Sequence, residues 1–225
     1  MGRNKKTTEE RNKMIAGFIE ATSDIIREEG VSAVSIRKVA AKTGYSTAMI
    51  YLYFKDINEL IAISSIGCLK DYVAEIAANA DTISDPREVY FNTWEVFCRH
   101  SFNNPAVFLS LFYRNSSSDF DEIVRKYYTA FPNELNNISG PMLFMLLAGN
   151  EADRNRTVLT PYARQMGLTH EQTDLLNDIT VSYHESVLRT VAEADLSEEQ
   201  RDAELKRFMR GLHFLTERNE HAERN

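Results

Sequence analysis

The 225-residue chain is poor in cysteine, proline and glycine, with two, five and nine of them. Two cysteines, Cys68 and Cys98, are too few for a disulfide scaffold or a cysteine-rich zinc site, and they read as reduced, small apolar residues. Scarce glycine and proline exclude a collagen-like, low-complexity or turn-rich β-sandwich chain and favour helices. Long hydrophobic runs are missing too. The longest, Pro141–Gly149, is about half of the ~20 residues that a membrane span needs. The polar, basic start from Met1 to Lys13 lacks the apolar stretch of a secretory signal, so the expected address is the cytoplasm, with no membrane partner.

Signatures of catalysis are absent as well. The sequence holds no glycine-rich dinucleotide fingerprint, P-loop, G-x-S-x-G, H-E-x-x-H or C-x-x-C. Its five histidines (His100, His170, His184, His213 and His221) are scattered without ligand spacing. The expectation is a protein that is not an enzyme, with no catalytic residue, cofactor or metal.

What is present is a 3.6-residue hydrophobic period along most of the chain, which predicts an all-α fold. Ile15, Phe18, Ile19, Thr22, Ile25 and Ile26 form one stripe that stops at Gly30. A short helix with Ile36, Val39 and Ala40 inward follows a Ser35 cap, and a third helix is predicted over Thr47–Tyr53 with Ile50 and Phe54 inward. A long fourth helix is expected from Asp56 through Ile76. Ser84-Asp85-Pro86 is a further helix start, with helices holding Val89–Phe102 and Pro105–Tyr113, a polar loop over Asn115–Asp119, and a helix holding Ile123 to Tyr128. Two long amphipathic helices close the chain.

The run Ser35–Phe54 has the mechanics of a helix-turn-helix. Val39 and Ala40 let two short helices cross closely, Gly44 supplies the positive φ of a tight turn, and Ser46 can cap the second helix. The outward face then carries Thr47, Ala48, Met49, Tyr51, Leu52 and Tyr53. A major groove about 12 Å wide accepts such a helix and offers it thymine methyls and phosphates. Charge agrees with this division. The net −7 of the whole chain argues against nucleic acid, but residues 1–60 hold ten basic and eight acidic residues, net +2, and the remainder carries −9.

This first quarter of the chain resembles the TetR family of bacterial transcriptional regulators. The matching residues are Phe18-Ile19, Ala21, Glu28-Glu29-Gly30, Ser35-Ile36-Arg37-Lys38-Val39-Ala40, Gly44-Tyr45-Ser46, Ile50-Tyr51-Leu52-Tyr53-Phe54 and Glu59-Leu60. The resemblance implies a three-helix DNA-binding head (residues 1–55) and a larger helical body (residues 56–225) that dimerises and holds an inducer. The chain departs from the family pattern at Thr22, Ala48, Met49 and Ile57, the last standing where lysine is common, with Lys55 nearby as a substitute.

Roles follow residue by residue. Arg37 reads either a guanine edge or a phosphate; Thr47, Ala48, Met49 and Tyr51 face bases; Ser35, Ser46, Tyr53 and Lys55 complete the DNA-binding set, with Ser35, Tyr53 and Lys55 on phosphates. In the body, Trp94, Phe97, His100, Phe108, Phe112 and Tyr127 are candidate walls for a small apolar or aromatic ligand, with His100, Arg99 and Asn103 as polar handles; plain core packing is the alternative for each. Leu176, Ile179, Tyr183, Val187, Leu205, Phe208 and Leu212 on the last two helices are candidates for a four-helix homodimer interface. The expected function is a repressor that binds a pseudo-palindromic operator as a homodimer and releases it on effector binding. One alternative is a regulator controlled by a protein partner, which predicts no sizeable body cavity. The other is an all-helical enzyme or ligand carrier, which predicts no salt-dependent DNA affinity.

Overall fold

The computed structural model describes residues 7–80, 82–113, 117–137 and 151–221. Among them every regular element is a helix. In chain order these are α1 (Thr8–Glu29), α2 (Ile36–Thr43), α3 (Thr47–Ile50), α4 (Ile57–Ile66), α5 (Lys70–Ala80), α6 (Pro86–Asn103), α7 (Pro105–Phe108), α8 (Ser117–Ala130), α9 (Glu151–Gln165), α10 (His170–Glu193) and α11 (Glu198–His221). The chain divides into two compact units, Met1–Lys70 with Ser118–Ile138, and Asp71–Ser117 with Ser139–Asn225. The apolar run at 141–149 and the basic residues Arg3, Lys5 and Lys6 lie outside the described residues.

In the first unit, α1 begins with a capping box in which the Thr7 hydroxyl accepts from the Glu10 amide while the Glu10 carboxylate accepts from the Thr7 amide. It ends at Gly30, whose φ of 85° few other residues tolerate. Phe18, Ile19 and Ile25 on its inner face are buried with Val39, Ile50, Phe54, Leu60 and Ile63. Each such side chain contributes roughly 1.5–3 kcal/mol when removed from water. α8 then joins this unit from far along the chain: Lys126 pairs with Glu59 of α4, and Glu134 pairs with Lys70 at 2.6 Å.

Three sequence expectations change here. The third helix is one turn long, because Asp56 must cap α4 and the chain leaves the helix after Ile50 through single turn bonds to reach it. The long fourth helix breaks at the 3-10 turn Gly67–Leu69, where Gly67 has the low helix propensity of its kind and a Cβ would stand 3.2 Å from the Tyr127 hydroxyl. Ser117–Asp119, expected in a loop, is helical.

The second unit is built around α6, which packs against α9, α10 and α11. Asp85 caps α6 through the amides of Arg87 and Glu88, ahead of Pro86. The helix expected over Pro105–Tyr113 is α7 followed by one π-helical turn, Leu109–Tyr113. α10 opens with a second capping box, Thr169 with Gln172. Tyr90, Phe102, Phe108, Leu159, Tyr162, Leu188, Phe208 and Leu212 fill the core.

Candidate functional site

The head presents its candidate DNA-reading residues on α2, α3 and the turn after α3. Ser35 caps α2 by accepting from the Lys38 amide at 3.2 Å. Gly44 turns the chain at φ 74° in the left-handed region, which sets α3 across α2. Ile50 and Phe54 hold this segment to Phe18, whose ring meets Phe54 edge-on at 6.2 Å and Tyr45 at 5.4 Å. With those anchors inward, Arg37, Ser46, Thr47, Ala48, Tyr51, Leu52 and Lys55 are exposed and Met49 is half-buried. Tyr51 is 57% and Leu52 67% exposed, so neither ring nor isobutyl group is needed by the core.

Some of the expected roles look different in atomic detail. Ser46 sits at the N-cap of α3 but its hydroxyl makes no cap hydrogen bond, in contrast to the sequence expectation. Tyr53 is half-buried, with its hydroxyl 3.7 Å from Met14 Sδ and the Arg11 guanidinium 5.8 Å above its ring. Lys38 pairs with Glu29, and Lys42 stands 3.2 Å from Asp24, so both are partly neutralised by α1.

The body holds a dense aromatic cluster around His184. Its ring is fully buried, stacked on Phe102 and tilted against Trp94 and Phe97 at 5.2 and 4.8 Å. Burial pushes the His184 imidazole down to about 3. Beside the cluster, Tyr72, Thr93, Trp94, Phe97, Glu151, Arg154, Asn155 and Val158 line a cavity of about 20 Å³. Trp94 Nε1 donates to Asn155 Oδ1 at 2.9 Å, and Asn155 Nδ2 donates to Asn177 Oδ1 at 3.1 Å. Burial drives the Glu151 carboxyl up to about 8, with the nearby Arg154 charge pulling the other way. The Arg154 guanidinium lies over the Phe112 ring at 4.2 Å.

Of the six candidate pocket residues, Trp94 and Phe97 line this cavity, and Phe108 and Phe112 pack against Phe97 at 5.4 and 5.5 Å. His100 is engaged by Glu75 at 2.8 Å, and Tyr127 belongs to the first unit, where its hydroxyl donates to Glu134. The polar handles are also occupied: Arg99 bonds Glu75 at 2.6 Å, and Asn103 accepts from Arg201. Burial raises the Glu75 carboxyl, but the bonds from His100 and Arg99 hold it below its usual range. Sequence reasoning missed Glu151, Arg154 and Asn155. Their i, i+3, i+4 spacing on one helix was the available signal.

On the last two helices, Leu176, Val187, Phe208 and Leu212 are buried within the body itself. Tyr183 is half-buried and stacked on Phe208 at 5.1 Å, and Leu205 is half-buried. The large apolar side chains left exposed there are Leu175, Ile179 and Phe214. Among the described residues no His, Cys, Asp or Glu cluster could hold a metal, and no helix is long and apolar enough to cross a membrane.

Residues 18–62, which span the helix-turn-helix and the start of α4, match the family model for bacterial regulatory proteins of the tetR family. This segment is similar to the tetR family. No curated protein matches the chain. Among solved structures, RolR in complex with its ligand resorcinol is similar over 97% of each chain, at 17% identity and a TM-score of 0.59. A TetR-like regulator from Rhodococcus sp. RHA1 is similar over 98% of this chain and 100% of its own, at 18% identity and a TM-score of 0.50. The TetR-family repressor FadR of Thermus thermophilus, in complex with lauroyl-CoA, covers 88% of this chain and 92% of its own, at 16% identity and a TM-score of 0.52. At these identities the likeness establishes the fold alone: an all-helical chain in which a helix-turn-helix segment is followed by further helices.

Proposed function

We propose that the chain is a sequence-specific transcriptional repressor that binds a pseudo-palindromic operator as a homodimer and is released by a small apolar or aromatic effector. The observation that carries this reading is the exposure of Tyr51 and Leu52, in the turn after α3, beside Thr47 and Ala48 of α3, in a segment whose core anchors are Ile50 and Phe54. Residues 1–55 read DNA and residues 56–225 dimerise and bind the effector, in the cytoplasm. Leu175, Ile179 and Phe214 supply the apolar face for the second copy. Two structurally similar proteins were solved with resorcinol and lauroyl-CoA, which supports an effector with a substantial apolar part. The effector acts by preferring the state whose two heads are wrongly spaced for successive major grooves.

Mapping genomic fragments bound by the purified protein tests this reading. The expected outcome is a shared inverted repeat and neighbouring genes that suggest the effector's chemistry. Bound fragments without any inverted repeat would sink it. The small body cavity favours a second reading, control by a protein partner. Pull-down on the operator-bound dimer, with and without cell extract passed through a small-molecule filter, separates the two.

A further inference from the structure

We infer that the body cavity beside α9 takes a small, neutral, single-ring aromatic ligand bearing a phenolic hydroxyl, held through Glu151. This deepens the effector reading above and rests on it. The starting observation is a defect. Glu151 is only 6% exposed, its Oε2 has no hydrogen-bond partner, and it lines the cavity together with Trp94, Phe97 and Tyr72. An unpaired buried polar atom costs about 1–3 kcal/mol, so a ligand that satisfies it recovers free energy that packing alone left behind.

The surroundings select the ligand's chemistry. Asn155 is already committed, its Oδ1 to Trp94 and its Nδ2 to Asn177, which leaves Glu151 Oε2 as an open acceptor or donor site of the lining. With its proton retained at neutral pH, that carboxyl offers one donor and one acceptor. A hydroxyl, which both donates and accepts, matches it. An ammonium ligand would instead bring a second cation next to Arg154, which is buried here and laid over Phe112. A carboxylate ligand would carry a further charge out of water and up against the Glu151 carboxyl, with the Arg154 charge pulling the other way. Aromatic walls from Tyr72, Trp94 and Phe97 favour a ring. About 20 Å³ is room for one water, so the ligand is small and enters by turning these rings aside.

The chain's single tryptophan is Trp94, so its emission reports on this cavity and the aromatic cluster it touches. The full-length protein is titrated with phenol, benzoate, benzylamine and benzene, by calorimetry and by Trp94 emission. Phenol is expected to bind saturably, with each of the other three weaker by about ten-fold or more. Glu151→Gln, which keeps a donor and an acceptor, retains phenol within about three-fold, and Glu151→Leu loses about ten-fold or more. Benzoate or benzylamine binding as tightly as phenol overturns the proposal. So does phenol affinity unchanged in Glu151→Leu, or the absence of saturable binding by any probe, which leaves an ordered water as the occupant. A compound that frees operator DNA without altering Trp94 emission also overturns the site, while leaving the effector reading standing. Phenol that binds through Glu151 yet leaves DNA affinity unchanged upholds the site and overturns the effector reading.

Discussion

The hydroxyl of the half-buried Tyr113 stands 2.6 Å from Nδ1 of the fully buried His184. On the other side of the ring, Ser101 Oγ lies 3.1 Å from Nε2 and donates its own proton to the Cys98 carbonyl at 3.2 Å. Ser101 can therefore only accept from His184, which places the imidazole proton on Nε2 and makes Nδ1 the acceptor for Tyr113. The neutral ring is fully bonded, and a second proton would break the Tyr113 bond.

Stability against pH follows from two buried groups with opposite signs. His184 is depressed to about 3 from an ordinary 6.5, so its contribution is present above pH 6.5 and is lost as pH falls through 3. Glu151 is raised to about 8, so its contribution is present below the unfolded carboxylate value near 4.5 and is lost as pH rises through 8. Between pH 4.5 and 6.5 the two slopes oppose each other. In the natural chain, urea unfolding is expected to vary little across that window and to weaken by about 1 kcal/mol from pH 6.5 to 7.5. Glu151→Gln should abolish the alkaline loss and uncover the His184 slope. A variant curve parallel to the natural one would contradict the assignment.

Gly211 of α11 faces the Tyr183 ring of α10, and a Cβ there would lie 2.7 Å from Cε1. Glycine to alanine inside an exposed helix normally stabilises by roughly 0.5–1 kcal/mol. Here Gly211→Ala should instead destabilise, by about 1–3 kcal/mol as overpacking does. Adding Tyr183→Leu should remove most of that loss. Thermal melts of the two variants decide it.

Glu59 joins three parts of the first unit: it accepts from the Lys55 amide, has its own amide bonded by Asp56, and pairs with Lys126 of α8. A double-mutant cycle on Glu59→Gln and Lys126→Met should give a coupling of about 0.5–1 kcal/mol, discounted because Lys126 remains partly in water. Zero coupling would mean that α8 is held by its apolar residues alone.

Tyr51→Ala and Leu52→Ala remove exposed side chains, so unfolding free energy should change by less than about 0.5 kcal/mol. On the proposed reading, operator affinity falls about ten-fold or more for Tyr51→Ala, the side chain expected to face bases. Arg37→Ala distinguishes two roles by salt titration. A lost phosphate contact lowers the slope of log affinity against log salt by about one, whereas a lost guanine contact relaxes sequence preference at one position.

The head was largely legible because its signals are local. Ser35 caps α2, Gly44 turns at φ 74°, and the four-residue spacing of Ile50 and Phe54 brings both into the core. What escaped depends on residues distant in sequence. Glu151, Arg154 and Asn155 lie on a polar helix that carries Pro161 and shows little apolar periodicity to point to its inward face, yet all three are buried. Likewise the apolar stripes of α10 and α11 announce packing without saying with what. Leu176, Val187, Phe208 and Leu212 are consumed inside the body, and among the described residues Leu175, Ile179 and Phe214 are the large apolar side chains left exposed there.

The first unit is assembled from two stretches of chain, Met1–Lys70 and Ser118–Ile138, with a long segment of the other unit between them. During synthesis the amino-terminal helices leave the ribosome well before α8 exists, so Glu59 and Lys70 wait without their partners Lys126 and Glu134. A gene fragment cut after residue 70 would encode the helix-turn-helix but not its complete packing. Grafting this head onto another protein therefore requires carrying residues 118–138 along, as a second insertion rather than a longer amino terminus.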